Sequence, residues 1–280
     1  MNSISKETIF SLFIPAFSER EKEIFLQWLL EDLFDGKRIQ SLSKREGDLL
    51  LLSIERINKG EPIQHVTGKA HFYDLILKSD KRGLIPRPET EELVHAALEK
   101  AKPSAAIHVL DICTGSGCIP LAIKANRPFW TVEGWDISEL ALDLAKENCQ
   151  EQKLEVGWKT VDILSENLPK KNTWDIIVSN PPYIPLADKK DMSPTVVDFD
   201  PALALFVEDQ DALVFYDRIA KFAFQNLKEA GYLGFEIHHQ KGIEIVQILE
   251  NLGFKEVSLI QDLNNNDRFV WGVKKPLLSD

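Results

Sequence analysis

Cysteines, long apolar runs and a basic N-terminus are scarce or missing in this chain. Its three cysteines, Cys113, Cys118 and Cys149, form no Cys-x-x-Cys pair, so the sequence indicates neither a disulfide framework nor a zinc site. The N-terminus lacks the basic-then-apolar pattern of a signal peptide, and no apolar run is long enough to span a bilayer. We therefore expect a protein of the reducing cytoplasm, with no bound metal and no membrane partner.

Positive charge is also in short supply. The chain of 280 residues carries 33 Lys and Arg against 44 Asp and Glu, a formal net charge of -11. A surface this acidic is not suited to non-specific contact with phosphate backbones, so direct nucleic-acid binding is not expected, although a local basic patch would still permit it. The hydrophobic content of 44% is that of an ordinary globular protein, and the length suffices for one large or two modest domains.

The first part of the chain has the pattern of a helical domain. Residues 18–21 and 43–46 are capping boxes, each followed by apolar residues at helical spacing. The run 4–17 predicts a helix before both. These features define a predicted N-terminal domain of residues 1–72, for which substrate docking and a purely structural role are equally compatible.

A connector leads from this domain to the rest of the chain. Residues 64–68 and 72–75 suggest short extended pieces and a hairpin. Residues 73–92 are assigned to the connector, at the start of a second predicted domain that covers residues 73–280. Within it, Arg87 lies between two prolines of fixed φ, which holds its charge in a defined position facing another group.

From residue 107 onward, strand and helix patterns alternate, which predicts an α/β fold with a doubly wound, mostly parallel sheet. The predicted strands cover residues 107–112, 131–135, 154–161, 174–179, 231–237, 255–260 and 269–274. The last two flank an Asn-rich turn and predict an antiparallel C-terminal hairpin. In open sheets of this kind, ligands bind at the carboxyl ends of the strands.

One such strand end carries the turn Asn180-Pro181-Pro182-Tyr183. Both prolines lack an N–H to pair, so the strand must stop there. The Asn180 amide oxygen and the Pro181 carbonyl could accept the two hydrogens of a flat, neutral NH2, with Tyr183 against its face. Two acceptors favour a pyramidal nitrogen with a free lone pair, which stabilises the transition state of its attack. A proline-rich loop capped by Asn180 is the plain alternative.

Three other strand ends resemble a nucleotide-type cofactor site. The turn 113–117 contains two glycines, which let a ligand approach the backbone closely. Asp136 lies about 20 residues further on and could bridge two ribose hydroxyls. Asp162 could accept from an adenine amino group, with Ile163 against the ring.

Two cofactors share this layout, and an ordinary strand-to-helix turn is the plain alternative for the glycines alone. A nicotinamide dinucleotide site needs a third glycine at the position where Pro120 stands. S-adenosylmethionine carries no phosphate and needs only the close approach and the acid. The Asn-Pro-Pro-Tyr turn favours it, because a hydride donor has no use for a clamp on an NH2.

Several motifs occur together and in order, and the combination is specific where each alone is not. They are Ile85-Pro-Arg-Pro-Glu-Thr-Glu-Glu92, Asp111-Ile-Cys-Thr-Gly-Ser-Gly117, Asp136-Ile-Ser138, Asn180-Pro-Pro-Tyr-Ile184, Asp200-Pro-Ala-Leu203, Gly231-Tyr-Leu-Gly-Phe-Glu236 and Asp262-Leu-Asn-Asn-Asn-Asp-Arg268. From about residue 60 to the C-terminus, the chain resembles the HemK/PrmC family of release factor glutamine N5-methyltransferases. The resemblance implies a Rossmann-like class I S-adenosylmethionine-dependent methyltransferase domain with a small N-terminal helical domain.

The resemblance also implies a reaction, a partner and site residues. A methyl group of S-adenosyl-L-methionine would pass to the glutamine N5 in the Gly-Gly-Gln (GGQ) loop of bacterial class 1 peptide chain release factors 1 and 2, leaving S-adenosyl-L-homocysteine. The implied cofactor-binding residues are Cys113, Thr114, Gly115, Ser116 and Gly117 on the methionine side, Asp136 at the ribose, Asp162 and Ile163 at the adenine, and Asn180, Arg87 and Thr90 near the pocket. The implied substrate-binding residues are Asn180, Pro181, Pro182 and Tyr183, of which Asn180, Pro181 and Tyr183 are catalytic. The N-terminal helices would help to dock the release factor.

The chain departs from the family pattern at positions outside the implied chemistry. The family usually has Glu where Asp200 stands, and a glycine-rich stretch at residues 208–212. Glycine is usual in place of His238 and Asn265, and an aromatic residue is frequent in place of Ile163.

Three other functions remain open. An enzyme that methylates a glutamine of a ribosomal protein uses the same clamp, although the run that begins at Arg87 resembles the release-factor branch. A DNA adenine N6-methyltransferase uses a similar clamp, but the acidic charge argues against it. A non-enzymatic scaffold would bind the cofactor and a partner without turnover.

Overall fold

Four helices open the chain in the computed structural model, which describes residues 5–166, 168, 173–208 and 212–275. They are α1 (Lys6–Phe10), α2 (Glu19–Phe34), α3 (Lys44–Asn58) and α4 (Ile63–Thr67). Both predicted capping boxes are confirmed, because the hydroxyls of Ser18 and Ser43 accept from the N–H groups of Glu21 and Glu46. Each Glu side chain in turn accepts from the N–H of its cap residue, which satisfies two helix-end donors at once.

The predicted helix over residues 4–17 is wrong in extent. Only α1 is helical there, residues 11–17 form turns, and Ile4 lies outside the described residues. Pro15 explains the early end, since it lacks an N–H and disfavours helical φ and ψ at Ile14.

The extended conformation predicted for residues 64–68 is also wrong, because α4 occupies this stretch. Pro62 precedes the helix with its fixed φ, and Gly68 ends it in the left-handed region at φ 72°. These two signals outweigh the β-branched residues between them.

A hairpin follows, as predicted, and leads into the next helix. Its strands are β1 (Lys69–Phe72) and β2 (Leu75–Lys78). The turn residues Tyr73 and Asp74 have φ of 48° and 63°, the left-handed pair that matches the strand twist in tight hairpins. Helix α5 (Pro88–Glu99) then begins at the proline.

A seven-stranded sheet forms the centre of the molecule, in the order β10-β11-β9-β6-β3-β4-β5. The remaining elements are, in chain order, β3 (His108–Ile112), α6 (Cys118–Asn126), β4 (Thr131–Asp136), α7 (Glu139–Glu151), β5 (Gly157–Thr160), β6 (Trp174–Ser179), β7 (Ile184–Pro185), α8 (Pro194–Phe199), α9 (Ala202–Leu205), β8 (Phe206–Val207), α10 (Val214–Asn226), β9 (Leu227–Glu236), α11 (Gly242–Leu252), β10 (Lys255–Gln261) and β11 (Asp267–Val273). Strands β3, β4, β5, β6 and β9 pair in parallel, whereas β11 is antiparallel to both β9 and β10. The predicted fold class and C-terminal hairpin are confirmed.

The sequence predicted no helix or strand between β6 and α10. Strands β7 and β8 pair in a small separate sheet, with the short helices α8 and α9 between them. The chain departs from the glycine-rich family pattern at residues 208–212, and of these, residues 209–211 lie outside the described residues.

Apolar side chains cover both faces of the central sheet. On one face, α5 and α6 contribute buried residues such as Leu93 and Leu121. On the other, α10 and α11 contribute Tyr216 and Leu249. A third cluster lies within α1–α4, with members from Ile9 to Val66. The boundary at residue 72 between two domains stays a prediction.

The strand order decides where a ligand can bind. From β3 the chain moves through β4 to β5 on one side, whereas β6 and β9 continue on the other side. The connections after β3 and β6 therefore diverge, which leaves a crevice at the carboxyl ends of these neighbouring strands.

Candidate active site

A cavity that is partly open to solvent occupies this crevice. Its walls include Cys113, Gly115, Asp136, Asp162, Ile163, Asn180 and Pro182, all expected from the sequence to belong to the site. Leu84, Leu164, Leu203 and Phe215 add apolar surface. The structure thus brings the ends of β3, β4 and β6 to one cavity. A concave, largely apolar pocket with a few convergent polar groups is typical of a cofactor site.

The two glycines of the 113–117 turn differ in what surrounds them. Both have left-handed φ, 53° at Gly115 and 80° at Gly117. A Cβ at Gly115 would meet nothing within 4 Å, whereas one at Gly117 would lie 2.8 Å from Trp158 and 2.9 Å from Ala145. Gly115 therefore leaves room on the cavity side, and Gly117 allows the turn to pack against α7. Thr114, Ser116 and Gly117 are buried and are not part of the described cavity wall.

Asp136 ties the glycine turn to the start of α7. One carboxylate oxygen accepts the Gly115 N–H over 2.8 Å, and the other accepts the Ser138 N–H over 2.9 Å. Burial raises the pKa of Asp136, while the backbone N–H groups oppose that rise. The carboxylate retains unused acceptor directions, as a ribose diol would need.

A second acid, Asp111, is buried beneath the same turn on β3. Its side chain has no exposed surface. Burial raises its pKa to about 8, against the lowering effect of the Thr114 hydroxyl. The sequence places Asp111 inside a motif without assigning it a role.

Asn180 follows the end of β6, as predicted, and the two prolines after it, Pro181 and Pro182, have little exposed surface. Its Nδ2 donates to the Thr90 hydroxyl oxygen over 3.4 Å. Tyr183 packs edge-on against His238, with 5.9 Å between ring centroids, and burial raises the pKa of its phenol to about 12. The phenol of Tyr183 is therefore neutral at pH 7.

Comparison with known proteins shows the family to which the chain belongs. A family model described as methyltransferase small domain matches residues 90–198. A release factor glutamine methyltransferase of Bacteroides thetaiotaomicron is 39% identical over 239 residues, which cover 85% of each chain. The protein of the same name from Streptococcus pneumoniae is 43% identical and covers 75% of this chain and 74% of its own. The chain belongs to the release factor glutamine methyltransferase family. It is therefore an enzyme of the methyltransferase class.

A solved structure supports the fold of this family member independently. A methyltransferase from Pyrococcus furiosus superposes with a TM-score of 0.54 at 16% identity, over 79% of this chain and 98% of that one. Membership of this methyltransferase fold family implies that S-adenosylmethionine is the methyl donor. None of the helices described here is long and apolar enough to cross a membrane. Within the same residues, no group of three or more His, Cys, Asp or Glu could hold a metal ion.

Arg87 does not line the cavity of this methyltransferase and instead pairs with Asp200. Its guanidinium donates to Asp200 over 2.6 Å, and the Ile85 N–H donates to the other carboxylate oxygen over 3.3 Å. The Asp200 side chain is 1% exposed. Because Pro201 and Leu203 line the cavity, the pair holds one wall of the site in place. The charge that the sequence placed between two prolines thus faces an acid of its own chain.

Thr90, which contacts Asn180, also contacts Glu236, a residue to which the sequence assigned no role. The Thr90 hydroxyl donates to the buried Glu236 carboxylate over 2.7 Å. Glu236 ends β9, beside β6 in the sheet. The sequence pattern that could have identified Glu236 is an acid at the carboxyl end of a buried strand, the same pattern that identified Asp136.

Proposed function

We propose that this protein transfers a methyl group from S-adenosyl-L-methionine to the side-chain nitrogen N5 of the glutamine in the GGQ loop of bacterial class 1 peptide chain release factors 1 and 2, in the cytoplasm. The observation that carries the proposal is the position of Asn180. Its amide lies at the wall of the same cavity as the glycine turn and Asp136. The names of the relatives support the choice of acceptor.

The cavity residues fit the cofactor. Gly115 presents open space where a side chain would project. Asp136 offers carboxylate acceptors at the cavity wall, suited to a ribose diol. Asp162 is exposed at the rim and Ile163 is buried beside it, which suits an adenine edge and face. The product of transfer is S-adenosyl-L-homocysteine.

The protein's own groups prepare the acceptor nitrogen. The bound cofactor supplies a methyl group on a sulfonium, which is reactive without metal assistance. The Asn180 oxygen and the Pro181 carbonyl accept the two N–H groups of the glutamine amide and free its lone pair for in-line attack. Tyr183 covers the amide face as a neutral ring. Orientation of this kind is worth several kcal/mol of barrier, and the surplus proton leaves to water after transfer.

The N-terminal helices are the proposed docking element for the release factor. Helix α3 exposes Leu49, Leu51 and Leu52, with 42%, 39% and 53% of their surfaces accessible. Leu49 and Leu52 lie one helical turn apart, and neighbouring exposed apolar side chains of this kind are typical of contact with another protein.

The test is methyl transfer from labelled S-adenosylmethionine to unmodified release factor. A matched factor with Gln→Ala in its GGQ loop is the control, and the modified peptide is located by mass spectrometry. Label on the intact factor alone supports the proposal. Label on a ribosomal protein or on adenine in DNA instead would identify one of the rival methyltransferases, and cofactor binding without transfer to any of them would identify a scaffold.

A further inference from the structure

A chain of two hydrogen bonds connects the end of β9 to the clamp residue at the end of β6. The Thr90 hydroxyl donates to Glu236 Oε2 over 2.7 Å. The same oxygen of Thr90 accepts from Asn180 Nδ2 over 3.4 Å. Glu236 is 2% exposed and Thr90 is 3% exposed. Bulk water therefore does not compete for the contact between these two groups.

The direction of these bonds follows from the chemistry of the three groups. An ionised carboxylate only accepts hydrogen bonds, so the Thr90 hydroxyl must donate its proton to Glu236. The Thr90 oxygen is then left with lone pairs, and only the NH2 end of Asn180 can face it favourably. A flipped amide would place Oδ1 against those lone pairs and close to the carboxylate. The two ends of an Asn amide have nearly the same shape, so packing alone would not choose between them.

We propose that Glu236 is a positioning residue that, through Thr90 and through its own contact with the Asn180 NH2 group, holds the Asn180 amide with its Oδ1 directed at the acceptor nitrogen. The identity of the acceptor rests on the proposed function, but the amide orientation is a property of this chain alone. A flipped Asn180 would turn its NH2 group toward the substrate amide. Because that amide also presents N–H groups, two hydrogen-bond donors would face each other. Such a site would lose one of the two acceptors on which nitrogen activation depends.

The surroundings of Glu236 make its charge responsive to pH. Burial raises its pKa to about 7, opposed by the hydrogen bond from Thr90, the charge of Arg268 and a hydrogen bond from Asn180, while Glu89 adds to the rise. Once protonated, Glu236 can donate to Thr90, and the constraint on Asn180 is released. The ionisable groups that face it from neighbouring elements are Glu89 on α5, Cys118 on α6, Tyr216 on α10, Arg268 on β11 and Tyr183.

The competing explanation is that Glu236 only joins β9 to α5. In that case Glu236→Gln would serve as well, since Gln also offers an acceptor to Thr90. The positioning role predicts otherwise, because a Gln side chain can present either its oxygen or its NH2 and no longer dictates which way Thr90 points.

Steady-state kinetics separate the two explanations. Glu236→Gln and Thr90→Val are expected to lower kcat by about 10- to 100-fold, the effect of a misplaced reacting group, with cofactor affinity changed less than about threefold. Thr90→Ser keeps the hydroxyl and is expected to retain most of the rate. The wild-type kcat should fall as pH drops below about 7, and Glu236→Gln should lack this acid limb. His238→Gln is the control for the imidazole that packs against Tyr183, whose pKa is lowered by burial.

A second readout needs no acceptor substrate. The side-chain 15N resonance of Asn180, assigned with Asn180→Ala, should shift between pH 6 and 8 in the wild type with a midpoint near 7, and should not shift in Glu236→Gln. If the shift occurs but no release factor is methylated, the positioning stands and the proposed function fails. If release factor is methylated while Asn180 does not titrate and Glu236→Gln keeps the wild-type kcat, the positioning role is overturned. The wild-type titration and the Thr90 pair keep the test decisive even if Glu236→Gln does not fold.

Discussion

The Gly115 N–H donates to the Asp136 carboxylate over 2.8 Å, which joins the turn after β3 to the acid that ends β4. One side chain thus shapes the turn and faces the cavity. The cavity wall and the local fold depend on the same carboxylate, so substitutions of Asp136 are expected to affect both.

Asp136→Asn is expected to weaken cofactor binding and to lower stability together. Asn has one acceptor oxygen, whereas the two Asp136 oxygens accept from different N–H groups, so the amide NH2 would face a donor. The cost of the lost bond is about 1–3 kcal/mol, visible in thermal unfolding, and cofactor affinity is measured by titration calorimetry. Asp143→Asn on the exposed face of α7 removes the same charge and should change neither quantity. Wild-type stability and affinity in Asp136→Asn would contradict the dual role.

Gly115→Ala and Gly117→Ala are expected to fail in different ways. Both impose left-handed backbone on Ala, at about 1 kcal/mol. At Gly115 the methyl group enters open space in the cavity wall, so cofactor affinity should fall while stability changes little more. At Gly117 the methyl group meets Trp158 and Ala145, which should cost a further ~1–3 kcal/mol of stability. Equal losses of stability in the two variants would refute the assignment.

Arg87→Ala is expected to destabilise the protein by about 2 kcal/mol, because the nearly buried Asp200 loses its charged donor. Cofactor affinity should also fall, since the residues after Asp200 form a cavity wall. Arg87→Lys should recover part of both losses. The measurement is chemical unfolding of Arg87→Ala, Asp200→Asn and the double variant. Strictly additive effects would show that the two residues do not interact.

Asn180→Ala is expected to reduce methyl transfer by roughly 100-fold or more, the usual loss when a polarising group at the reacting centre is removed. Cofactor binding should be weakened but measurable, because Asn180 contributes only part of the cavity wall. Single-turnover transfer and cofactor titration measure the two effects separately. Asn264→Ala, in the loop before β11, is the matched control. Transfer at near the wild-type rate would exclude the clamp mechanism.

Asp111→Asn is expected to make stability less sensitive to pH. The pKa of Asp111 is raised from 3.8 to about 8 in the folded protein, so between these values the folded state holds a proton that the unfolded state has lost. The free energy of unfolding therefore falls as pH rises through this window. The Asp111→Asn variant lacks this fall. Its free energy of unfolding, relative to that of the wild type, should therefore be higher at pH 8 than at pH 5. Unfolding at the two values, with Asp143→Asn as control, tests the sign.

Local signals in the sequence were sufficient for most of the fold. The capping boxes, the glycine turn and the paired prolines act within a few residues of themselves, so they survive in any tertiary context. The sheet was predictable because strands buried on both faces must be apolar along their length. The two errors, at residues 4–17 and 64–68, arose where proline and glycine signals competed with apolar periodicity.

Patterns along the chain were enough to predict the fold class, the family and the strand ends that line the cavity. The folded chain, in contrast, was needed to find that Arg87 pairs with Asp200, 113 residues away, and that Thr90 donates to Glu236, 146 residues away. No local pattern records such contacts, because strand order, and not spacing along the chain, brings these side chains together. The orientation of Asn180 depends on that long-range network, whereas its position at the end of β6 follows from the prolines beside it.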